Sequence, residues 1–105
     1  MNGLQKKDLL IRLTTEFGYP MQGAEIIIPD ILALQPSLKT LFEQWWQTGI
    51  VPNIEIEGYT IERLKAEQGM NVIAAFLTLD WLIQEPADAM VSLRSGHDKI
   101  ILGEP

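Results

Sequence analysis

Gly58-Tyr59-Thr60-Ile61-Glu62-Arg63-Leu64-Lys65-Ala66-Glu67-Gln68-Gly69-Met70-Asn71 holds two helix starts and one helix stop, and its reading decides the fold. Thr60 is a good N-cap, because its side-chain oxygen can accept from the backbone N–H groups that a first helical turn leaves open. Glu62 complements the positive end of the dipole, and Tyr59 is placed to staple onto Leu64. Gly69 ends this helix after about two turns. Asn71 caps the next, Val72 to about Glu85, and Pro86 limits its continuation. The stretch predicts two helices joined by a tight glycine turn.

Upstream, Ser37 is a candidate cap for a helix whose face is Leu38, Leu41, Phe42, Trp45 and Trp46, with Gly49 as a left-handed stop. Val51-Pro52 turns the chain, and Ile54-Glu55-Ile56-Glu57 alternates apolar and charged, as a half-buried strand does. Downstream, Ala87, Ala89, Val91 and Leu93 alternate with Asp88, Met90, Ser92 and Arg94. This suits a strand that Arg94-Ser95-Gly96-His97-Asp98 turns into Lys99-Ile100-Ile101-Leu102. That hairpin is the preferred reading; a helix starting at Pro86 and stopping at Gly96 is the competing one. At the N-terminal end, Leu10, Leu13 and Phe17, with Leu9 and Ile11 beside them, predict a helix from about Leu4 to Phe17, ended by Gly18-Tyr19-Pro20. The β-branched run Glu25-Ile26-Ile27-Ile28 reads as a short strand, and Ile31 to Leu34 as a helical turn with Pro29 at its first position.

Helix, short strand, helix, tight turn, helix and hairpin form a layout that resembles the winged helix-turn-helix superfamily over roughly residues 37–103. Thr60, Leu64, Gly69 and Asn71, then Ala75, Leu79 and Leu82, carry the resemblance. The implied fold is α+β and mainly helical: a single domain, 1–105, with a winged-helix-like core at 37–103 and an N-terminal helical extension at 1–36. An all-α bundle is the alternative. The resemblance implies that the third helix enters the DNA major groove, with Asn71, Ala74, Ala75 and Thr78 as candidate readers. Only Asn71 has a side chain suited to bidentate base contact. No Lys or Arg occurs from Ala66 through Leu93, a span that carries Glu67, Asp80, Glu85 and Asp88. Such a surface repels DNA. The nucleic-acid reading then rests on phosphate contacts from Arg63 and Lys65 in the second helix and from Arg94, His97 and Lys99 at the wing tip.

The 105 residues match one ordinary domain, and 47% apolar with 21% charged residues is globular composition. Eight Lys and Arg against fourteen Asp and Glu give a formal charge of −6, which disfavours phosphate backbones at long range. Without cysteine there is neither a disulfide framework nor a thiolate metal site. The opening Met1-Asn2-Gly3-Leu4-Gln5-Lys6-Lys7-Asp8 does not read as a signal peptide, and the run Val72 to Leu77 is far short of the roughly 20 residues that span a bilayer. The expected location is the cytoplasm.

Catalytic chemistry finds little to stand on. His97 is the single histidine. Asp98 beside it, and Glu55 and Glu57 on one strand face, match no known metal-loop spacing, and Ser95, His97 and Asp98 read as turn residues rather than a relay. The glycines form neither a dinucleotide fingerprint nor a phosphate loop. No enzyme activity, cofactor, metal or small-molecule ligand is expected. The third helix instead carries Val72, Ile73, Phe76, Leu77, Leu79, Trp81, Leu82 and Ile83 on more than one stripe, as the centre of a domain does. Part of that surface, with one of Trp45, Trp46 or Trp81, is the candidate face for a second chain; Trp45 and Trp46 sit about 100° apart on their helix and cannot point at one spot. Trp45, Trp46, Phe76 and Trp81 are thus the candidate interface of a non-enzymatic protein-interaction domain that binds a partner or itself. A winged-helix regulator and a small acidic inhibitor or immunity-type protein are the alternatives.

Overall fold

The computed structural model describes residues 4–101, with side chains for residues 4–94. Within them the chain is mainly helical with one two-stranded sheet, and it divides into two compact units, Met1–Gly49 and Ile50–Pro105.

The first unit has three helices, α1 (Lys6–Thr15), α2 (Met21–Leu32) and α3 (Pro36–Thr48). Leu9 and Leu13, four apart on α1, are fully buried, and Gly18 at φ 74 turns the chain out of the helix end. The run Glu25 to Ile28 is helical and not the expected strand. Ala24, Ile28 and Ile31 fall at i, i+4 and i+7 and are buried, while Ile26, which would share a strand face with Ile28, is 73% exposed. Burial of a helical stripe here outweighs β-branched propensity. Pro29 lies inside α2 rather than opening a new turn, three residues before the helix ends. In α3 the first helical residue is Pro36, with Gln35 at the cap position; Ser37 does not cap. Gly49, at φ 78, closes α3 by donating its N–H to the Trp45 carbonyl, as expected.

The second unit opens with a hairpin, β1 (Glu55–Ile56) and β2 (Tyr59–Thr60), paired Glu55 with Thr60 and Ile56 with Tyr59. Glu57 and Gly58 both have positive φ, which a two-residue type I′ loop demands and glycine meets without strain. Next come α4 (Ile61–Gln68), α5 (Val72–Gln84) and α6 (Pro86–Ile101). Thr60 Oγ1 accepts from Arg63 N–H at 3.0 Å and Asn71 Oδ1 from Ala74 N–H at 2.8 Å, so both expected caps are in place. Gly69, at φ 68, makes the tight turn between α4 and α5.

The expected C-terminal hairpin is not there. Residues 86–101 form α6, which starts with Pro86, and its Ala89 N–H donates to the Glu85 carbonyl. The alternation of Ala87, Ala89, Val91 and Leu93 misleads because it also contains a helical pair. Ala89 and Leu93, four apart, are buried, whereas Val91, which a strand would place with them, is 59% exposed. The helix also continues through Gly96. Leu102, the last residue of the expected second strand, lies outside the described residues. No helix among the described residues is long and apolar enough to cross a membrane.

Candidate functional site

The three tryptophans have different surroundings. In the first unit Trp45 and Trp46 are buried, at 8% and 6% exposure, in a cluster with Phe17 and Phe42. Phe17 and Phe42 stack near the Trp46 ring with centroids at 5.7 and 5.8 Å, and Phe42 meets Trp45 edge-on at 5.4 Å. The Trp46 indole N–H donates to Asp8 Oδ2 at 2.8 Å. Arg12 lies over the same ring at 4.1 Å, donates to the Trp46 carbonyl at 2.8 Å and pairs with Glu16. Trp46 is thereby tied to α1 by ring, edge and backbone. Sequence reasoning missed Asp8 and Arg12, because partners 34 to 38 residues apart leave no local signal.

In the second unit Phe76 is fully buried, and Trp81 is 36% exposed. Of the four residues expected at an interface, Trp81 alone presents a substantial surface. On α5 it shares one side with Ala74 and Leu77, both half-buried, at the i, i+3 and i+7 spacing of a helical stripe. The opposite side of α5 carries Phe76, Leu79 and Leu82 into the core. The Trp81 indole N–H donates to Glu85 Oε1 at 3.0 Å, while the Glu85 backbone N–H donates to the Trp81 carbonyl at 2.7 Å. The first bond holds the indole edge, and the second closes the last turn of α5. Along the same stretch Thr78 Oγ1 donates to the Ala74 carbonyl and lies 3.3 Å from Met70 Sδ, and the Gln84 amide donates to Asp80.

Of the residues expected to touch nucleic acid, Arg63, Lys65, Asn71 and Arg94 have described side chains. Arg63 is occupied within its own unit: it pairs with Glu67 at 2.9 Å, donates to the Gly58 carbonyl at 2.8 Å and lies over Tyr59 at 4.5 Å. That places it as a brace between the hairpin and α4. Asn71 spends its side-chain oxygen on the cap of α5. Lys65 is exposed on α4, and Arg94 is exposed on α6 rather than on a wing. The side chains of His97 and Lys99 lie outside the described residues. Arg94, Leu93, Tyr59, Ala66, Glu67 and Gln68 line a broad open cleft of about 600 Å³, across which Gln68 donates to the Leu93 carbonyl at 3.3 Å. Its open, mixed walls differ from the mostly apolar concavities that enclose small ligands. No group of three or more His, Cys, Asp or Glu among the described residues is placed to hold a metal ion.

No protein-family model, curated protein or solved structure matches this chain.

Proposed function

We propose that this protein is a cytoplasmic, non-enzymatic protein-interaction module whose second unit binds a partner through the Trp81 side of α5. The observation that supports the reading is Trp81 itself: a large aromatic ring, 36% exposed, held by Glu85 and continuous with Leu77 and Ala74 on one stripe. Rigid aromatic anchors beside small and aliphatic residues supply much of the affinity of protein interfaces, because little side-chain freedom remains to be lost on binding. The α4–Gly69–α5 pair supports a helix-turn-helix-like frame for this face, used for protein and not for DNA. The acids Asp80, Glu85 and Asp88, with no Lys or Arg from Ala66 through Leu93, favour that choice.

The test is recovery of partners from extract of the protein's own cells, with and without nuclease, by the tagged full chain, Trp81→Ala and an exposed control, Ile26→Ala. The expected result is a protein recovered by the wild type and the control after nuclease treatment and lost with Trp81→Ala. Equal recovery by Trp81→Ala would refute the reading, and material lost only to nuclease would assign the protein to nucleic acid.

A further inference from the structure

We draw no further inference here: the strongest candidate, the apolar side of α5 formed by Ala74, Leu77 and Trp81, carries nothing beyond the function proposed above, because nothing in the structure shows what covers it.

Discussion

Trp46 and Trp81 each donate an indole N–H to a carboxylate, yet the two bonds do different work. The acceptor of Trp46 is Asp8, 38 residues away on another helix, and the ring is further held by Phe17, Phe42 and Arg12 until 6% of the residue remains exposed. The acceptor of Trp81 is Glu85, one turn along the chain, and 36% of the residue is left exposed. A long-range bond spends the aromatic surface on joining helices. A local bond fixes the ring without covering it and leaves its surface for another molecule. Residue type and hydrogen-bond chemistry are alike in the two cases, so the packing around the ring, supplied at Trp46 by Phe17, Phe42 and Arg12, separates a structural tryptophan from a candidate anchor.

The largest effect expected from this comparison is on stability. Trp46→Ala should cost about 3–5 kcal/mol, as large-to-small changes in packed cores do. Trp81→Ala should cost less, about 2 kcal/mol, since 36% of the residue already faces water. Urea denaturation of the two variants measures both, and equal losses would break the comparison. Arg12→Ala, which removes the cation over the Trp46 ring and the bond to its carbonyl, is expected to cost about 2 kcal/mol in the same assay. Arg12→Lys should recover only part of that, because a single ammonium cannot reproduce the planar fork. The smallest effects concern the frame of the Trp81 face. Gly69→Ala, forced into a left-handed conformation at φ 68, and Asn71→Ala, which removes the α5 cap, should each cost about 1 kcal/mol by thermal melting. Neither should touch the aromatic cluster of the first unit, which near-ultraviolet circular dichroism reads.

Features written within one helical turn were legible in the sequence. Thr60, Gly69 and Asn71 define α4 and α5, and Gly49 ends α3, because caps and left-handed stops depend on neighbouring backbone groups alone. Two segments were misread for one reason. Ile26-Ile27-Ile28 and Ala87-to-Leu93 each satisfy a strand pattern and a helix pattern, and the choice rests on which residues find cover. Ile28 with Ala24 and Ile31, and Ala89 with Leu93, find it as helical sets. In the candidate site, Trp81 stood out as one of three tryptophans, but its separation from Trp45 and Trp46 requires Asp8, Phe17 and Arg12, which only the folded chain brings to them.

In the proposed interaction Trp81 meets a partner while Trp45 and Trp46 serve the fold. Fluorine NMR of the full chain carrying 5-fluorotryptophan tests it most directly, with the Trp81 resonance assigned from its absence in Trp81→Phe. On addition of the partner recovered from extract, a shift or broadening of the Trp81 resonance is expected, with those of Trp45 and Trp46 unmoved. A Trp81 resonance that stays in place while either of the other two shifts would contradict it.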